Sequence, residues 1–175
     1  MDKPNSIALI TDSTCDIPED LIRLYDITVL PAYVIWGDKQ FRDRIDLKAD
    51  EFYRRLQKDP VYPSSAHPSP EEFREAYEQL EDEGAEDIVV ITVSSRLSGT
   101  YNAANQAADW IDVPVHVIDA KGPSMSLGWQ VLAAARAREE GGDLDAILTT
   151  VEGARSRMAQ LVYMESIEYL HKGGR

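Results

Sequence analysis

Three short apolar runs organise the hydrophobic pattern of the chain: Ile7 to Ile10, Val89 to Val93, and Val115 to Ile118. Each is too short for an amphipathic helix and rich in β-branched residues, which reads as a strand buried on both faces of a parallel sheet. Each breaks into a polar turn, at Thr11 to Asp16, Ser94 to Tyr101, and Asp119 to Ser124, and the period then changes to that of a helix. Pro18 stands where a helix can begin and run through Leu21, Ile22 and Tyr25; Asn102 to Ile111 and Ser126 to Glu140 are alanine-rich helical stretches.

Between these units the pattern is less regular. Thr28 to Trp36 is a further strand-like run in which Pro31 imposes an edge position or a bend. Gly37-Asp38 reads as a turn, Phe41 to Asp46 as a polar connection without a period, and Leu47 to Leu56 as a helix with Phe52, Tyr53 and Leu56 at helical spacing. From Lys58 to Pro70 there are four prolines and three serines, so this segment must be extended or turning. Ser69-Pro70-Glu71-Glu72 carries the signature of a capping box with proline at the first helical position, and a helix through Phe73, Ala76, Tyr77 and Leu80 should follow. Asp143 caps another helix with Leu144, Ile147, Leu148 and Val151 on one face, and Leu161 to Tyr163 is expected to form a short last strand.

Strand, polar turn and helix in repetition predict an α/β fold, a mainly parallel sheet flanked by helices, with the turns after Ile10, Val93 and Ile118 on one edge. Ligands of such sheets bind outside the carboxyl ends of the strands. The Ser64-Ser65 loop, which precedes the helix leading into the central strand, can fold over the same edge.

The richest chemistry lies in the central turn. Ser94, Ser95, Ser98 and Thr100 surround Gly99 at the start of a helix, where hydroxyls and unpaired amides attract an anion, phosphate or carboxylate. The same residues also serve a plain helix cap. No lysine follows in the pattern of a nucleotide-binding loop and G-x-G-x-x-G is absent, so a nucleotide is not the first choice. A hydrolase would draw on Ser95 or Ser98 with His67 or His116 and Asp119, but G-x-S-x-G is missing. Asp12, Asp16 and Asp119 lie near strand ends without the second spaced acid of a metal-dependent phosphatase, and Asp12 and Asp16 read better as turn and helix-start acceptors. His67, His116 and His171 are too scattered for a zinc motif, and no cofactor is expected.

Charge narrows the partners. A formal net charge of -13 argues against nucleic acid and anionic lipid surfaces, which want clustered Lys and Arg. The single cysteine, Cys15, cannot form an internal disulfide, and neither a signal peptide nor a membrane-spanning stretch is visible, so a cytoplasmic location is expected. At 175 residues and 43% apolar content one globular core is affordable.

The sequence resembles the DegV family of fatty-acid-binding proteins at Ile10-Thr11-Asp12-Ser13-Thr14-Cys15-Asp16-Ile17-Pro18, at Pro63 to Pro70, at Ser94 to Tyr101 and at Glu168 to Arg175. S-S-x-L-S-G-T-Y together with the terminal Y-L-x-K-G-G-R is the most specific part of the match, and the segments run in family order across the chain. This resemblance implies a protein that encloses one long-chain fatty acid, with the carboxylate held by hydroxyls of the proline loop and the serine-rich turn, here Ser65, Ser94, Ser95, Ser98, Gly99 and Thr100. It implies a carrier and not an enzyme: the acid is presented to a separate fatty acid kinase subunit, which phosphorylates the carboxylate with ATP to acyl phosphate. Arg175 resembles a family position near the ligand mouth and is expected to contact that partner.

Two departures stand out. Where the family has Thr-Ser-Gln-Pro-Ser, this chain has Ser65-Ala66-His67-Pro68-Ser69, an imidazole in place of an amide. Family members also continue for roughly another hundred residues into a second domain. By the resemblance, that domain closes the acyl tunnel and contributes a histidine. Residues 1–165 are therefore expected to be a DegV-type N-terminal lipid-binding domain and 166–175 the start of a connection to a second domain largely missing here, leaving a groove through which the chain would self-associate.

Overall fold

The computed structural model describes residues 6–172. Four parallel strands form the main sheet: β1 (Ile7–Asp12), β2 (Ile27–Leu30), β6 (Asp87–Thr92) and β7 (Val115–Asp119), in the order β2-β1-β6-β7. Continuous apolar runs suit this sheet because successive side chains point to opposite faces and both faces are covered. Leu9, Val89 and Ile91 pack into one cluster with Leu127, Val131 and Ile147, whereas Ile10, Ile88 and Val90 pack into a second with Phe73, Tyr77 and Ala104.

Helices supply both layers. The first cluster receives α1 (Glu19–Leu24), α5 (Met125–Glu139) and, packed on α5, α6 (Leu144–Ser156). The second receives α3 (Pro70–Asp82) and α4 (Thr100–Ala108), whose alanines at 103, 104 and 107 let it lie close to the sheet and to α3. Buried Tyr77 donates its hydroxyl to the Ala104 carbonyl at 3.1 Å, joining the two helices. On the opposite face, Gly128 of α5 lies so close to the Cys15 carbonyl that a Cβ would come within 2.4 Å of that oxygen. Only glycine allows that approach of helix to turn.

A second, smaller antiparallel sheet has the order β4-β3-β5, from β3 (Tyr33–Trp36), β4 (Lys39–Arg42) and β5 (Ser64–Ala66). The run from Thr28 to Trp36 is thus two strands in two sheets, divided at Pro31-Ala32, where proline donates no backbone hydrogen bond and the Ala32 amide turns aside to Ser13 Oγ at 3.0 Å. The polar connection expected over Phe41 to Asp46 begins instead in β4, an edge strand whose charged side chains hide its alternation. The proline segment is extended as expected, and β5 within it pairs with β3 in the register Tyr33↔Ala66, Val34↔Ser65 and Ile35↔Ser64. Trp36, buried between this sheet and α2 (Ala49–Leu56), meets Phe52 edge-on at 5.5 Å and carries the Arg55 guanidinium 4.2 Å above its ring.

The capping box at α3 is complete. Glu72 N–H donates to Ser69 Oγ, and Ser69 N–H donates to Glu72 Oε2 at 2.8 Å. Replacing Ser69 with alanine should cost about 1 kcal/mol, read as a shift of the urea midpoint without a change in slope. The strand expected over Leu161 to Tyr163 is absent: these residues are irregular and exposed, since they find no strand to pair with. A five-residue helix, α7 (Glu168–Lys172), closes the described chain, and no described helix is long and apolar enough to cross a membrane.

Candidate functional site

Neighbouring parallel strands bring their following turns together. Thr11 of β1 lies opposite Ile91 of β6, and Thr92 of β6 opposite Asp119 of β7, so the three polar turns share one edge as the pattern predicts.

Asp12 locks the first turn to the second. Its side chain is 1% exposed and accepts from Val93 N at 2.8 Å, Thr14 N at 3.0 Å and Thr14 Oγ1 at 2.5 Å. Burial pushes this carboxyl up from its ordinary value in spite of the hydrogen bonds, which pull the other way. Next to it, Ser13 Oγ donates to Asp43 Oδ2 at 2.7 Å while accepting from Ala32 N. That pair fixes the bend leading into β3, and β5, zipped to β3, then carries Ser65, Ala66 and His67 to the serine turn.

The result is a cavity of about 450 Å³ between the proline segment and the turn after β6. Its polar lining residues are Thr14, Ser65, His67, Ser98 and Thr100. Ala32, Ala66, Val93, Leu97, Gly99 and Pro123 make up the rest of the described lining. No Asp, Glu, Lys or Arg is among the lining residues, in a chain of net charge -13. Such a cavity meets an anion without lysine or arginine, through hydroxyls, the start of α4 and the His67 ring.

The serines of the turn have different duties. Ser94 is buried and turns inward, its Oγ accepting from Arg96 N at 3.3 Å. Ser95 lies outside the cavity lining and donates its hydroxyl to Asp119 Oδ2 at 2.6 Å. Ser98 Oγ accepts from Thr100 N at 3.3 Å and lies 2.8 Å from Thr100 Oγ1; with Thr100 as the donor, the Ser98 proton is left for a ligand in the cavity. Gly99 is placed by contact, not by dihedral angle: a Cβ there would come within 2.5 Å of His67 Nε2.

Of the residues singled out from sequence, Ser65, Ser98, Gly99 and Thr100 come together in the cavity, Ser94 and Ser95 stand behind or beside it, and Arg175 lies outside the described residues. Thr14, Ala32, Leu97 and Pro123 complete the lining and were not singled out. The shared edge already pointed to Thr14, since it follows the first strand; Ala32 carries no signal, because its place depends on the split of the strand at Pro31.

A serine hydrolase is not assembled here. Ser95 pairs with Asp119 and Ser98 with Thr100, while His67 Nδ1 lies 2.8 Å from the Pro68 carbonyl and His116 Nε2 lies 2.9 Å from Asp87. Asp16 accepts from Ser124 Oγ, and among the described residues no group of three His, Cys, Asp or Glu could hold a metal. Cys15 is fully buried, and burial pushes its thiol up, away from reactivity.

Comparison with known proteins agrees with the motifs. A family model described as the uncharacterised DegV family matches residues 6–175. A DegV domain-containing protein of Caldanaerobacter subterraneus is 37% identical over 170 residues, covering 97% of this chain and 60% of that protein. A protein of Thermotoga maritima named a fatty acid-binding protein is 31% identical over 173 residues, with the same two coverages. Among solved structures, a DegV family protein from Thermus thermophilus described as binding fatty acid superposes with a TM-score of 0.86 at 32% identity, over 97% of this chain and 60% of that one. The chain thus spans about three fifths of the length of these relatives.

Proposed function

This chain belongs to the DegV family, and from that premise we propose that it binds one long-chain fatty acid with the carboxylate in the cavity between the proline segment and the serine turn. The observation that carries the reading is a cavity lined jointly by hydroxyls, a helix start and apolar side chains, with no Asp, Glu, Lys or Arg among its described lining residues. Ser98 and Ser65 supply hydroxyl donors, the start of α4 at Gly99 supplies an amide, and Ser94 and Ser95 hold the turn in shape. Val93, Leu97 and Ala32 start the apolar wall along which the tail leaves.

Affinity comes mainly from that tail. At ~0.8 kcal/mol per buried methylene, about fifteen carbons give a gross gain on the order of 12 kcal/mol before ordering costs. Hydroxyl and amide donors orient the carboxylate without a lysine or arginine and leave an oxygen open to chemistry. On this reading the protein is a carrier that presents the acid to an ATP-dependent fatty acid kinase subunit, with residues 1–165 as the lipid-binding unit, 166–175 as the start of a connection onward, and Arg175 as a partner contact. The exposed apolar side chains of Leu161, Tyr163 and Ile167 favour self-association, which a concentration series in light scattering would show.

The reading is tested by titrating the protein with hexadecanoate and with hexadecanol. Binding of the acid at least tenfold tighter than the alcohol is expected, one charge-assisted hydrogen bond accounting for roughly that factor. Equal affinities would remove the head-group role of the cavity. Nitrophenyl ester turnover that vanishes on Ser95→Ala would favour the hydrolase reading instead.

A further inference from the structure

Among the described residues, His67 is the only titratable side chain that lines the cavity, and its two ring nitrogens lie against different groups. Nδ1 lies 2.8 Å from the Pro68 carbonyl oxygen, which only accepts, so Nδ1 carries a proton whether the ring is neutral or charged. Nε2 lies against Gly99, at the first turn of α4, within 2.5 Å of where a Cβ would stand. In the neutral ring Nε2 therefore carries a lone pair, and it lies beside Gly99 in the wall of the cavity that Ser65, Ser98 and Thr100 also line. A carboxylate seated there meets hydroxyl and amide donors and one acceptor.

We propose, on the reading given above, that binding of a carboxylate ligand in this cavity is coupled to uptake of one proton, held between His67 Nε2 and a carboxylate oxygen. The uptake turns a lone pair facing an anion into a charge-assisted hydrogen bond. Atoms balance simply: the proton comes from solvent, no covalent bond to carbon changes, and the proton returns when the acid leaves. The charged groups on the elements around His67 are already engaged. Glu72 at the start of α3 is held by Ser69 and Tyr33, Asp12 at the end of β1 by Thr14 and Val93, and Arg42 of β4 by Asp46. Arg96, in the serine turn, is exposed and outside the lining. The consequence is a carrier that tightens on its acid as pH falls and loosens as pH rises.

Calorimetric titration of the protein with hexadecanoate tests this, run from pH 6 to pH 8 and, at pH 8, in two buffers of different ionisation heat. The expected result is affinity roughly tenfold or more higher at pH 6 than at pH 8, with uptake approaching one proton per ligand at pH 8. His67→Gln, which offers a fixed N–H donor, should bind at all pH values with a flattened profile and no uptake. Hexadecanol should show no pH dependence in either protein. The proton count on the unmodified protein stands whether or not the variant folds. Tight binding with no proton uptake, or the same pH slope for the alcohol or for His67→Gln, overturns the proposal while leaving fatty-acid binding intact. Absence of hexadecanoate binding at every pH overturns the fatty-acid reading and this inference with it.

Discussion

Asp12→Ala should destabilise the protein by roughly 2–4 kcal/mol, because it leaves the buried Val93 N–H and the Thr14 N–H without their acceptor. The effect is large for a single polar side chain because this carboxylate joins the end of β1 to the residue that follows β6. Loss of the bridge also frees Thr14 and the serine turn, so ligand binding should weaken along with stability. The pH dependence has a definite sign. Burial raises the Asp12 carboxyl above its unfolded value, so the folded state holds the proton more tightly. The contribution of that proton is present in full below the unfolded value, about 3.9, and is lost as pH rises through the raised folded value. Urea unfolding of both proteins across this range should therefore show the gap between wild type and Asp12→Ala narrowing as pH rises. A gap that widens instead would mean that Asp12 acts as a stabilising charge.

The double variant Ser65→Ala, Ser98→Ala should weaken fatty-acid binding at least a hundredfold with the fold retained. Each removes one hydroxyl donor to a charged acceptor, roughly 1.5–3 kcal/mol. Neither side chain belongs to the hydrophobic clusters: Ser65 is exposed on β5 and Ser98 half-buried in the turn. Ser95→Ala should cost less, because its hydroxyl is spent on Asp119. Titration with hexadecanoate separates these cases. An unchanged dissociation constant in the double variant would move the carboxylate elsewhere.

Much of this was legible in the sequence, for definite reasons. The runs at Ile7, Val89 and Val115 specify parallel strands because residues of both parities are apolar, and the Ser69-Pro70-Glu72 signature fixes a helix start by local hydrogen bonds alone. The meeting of proline loop and serine turn could be anticipated as a shared edge. What local pattern did not carry were relations between distant segments. Pro31 splits one apolar run between two sheets, and only the Ser13-Ala32 hydrogen bond shows where. β4 hides among charged residues, and its partner strand, not its own composition, makes it a strand. Trp110 and Trp129 have the size and apolarity of core residues, yet they are about half exposed, at 47% and 50%. Within the serine turn, sequence spacing could not say that Ser95 faces Asp119 while Ser98 faces the cavity, since that depends on how β7 aligns with β6.

The central claim, that this chain holds a long-chain fatty acid, is tested most directly by native mass spectrometry of the protein as purified, before and after denaturation. The account predicts an added mass equal to one long-chain fatty acid that disappears on denaturation, or that is acquired on addition of hexadecanoate. A protein that carries no lipid and takes up none from excess hexadecanoate would contradict it.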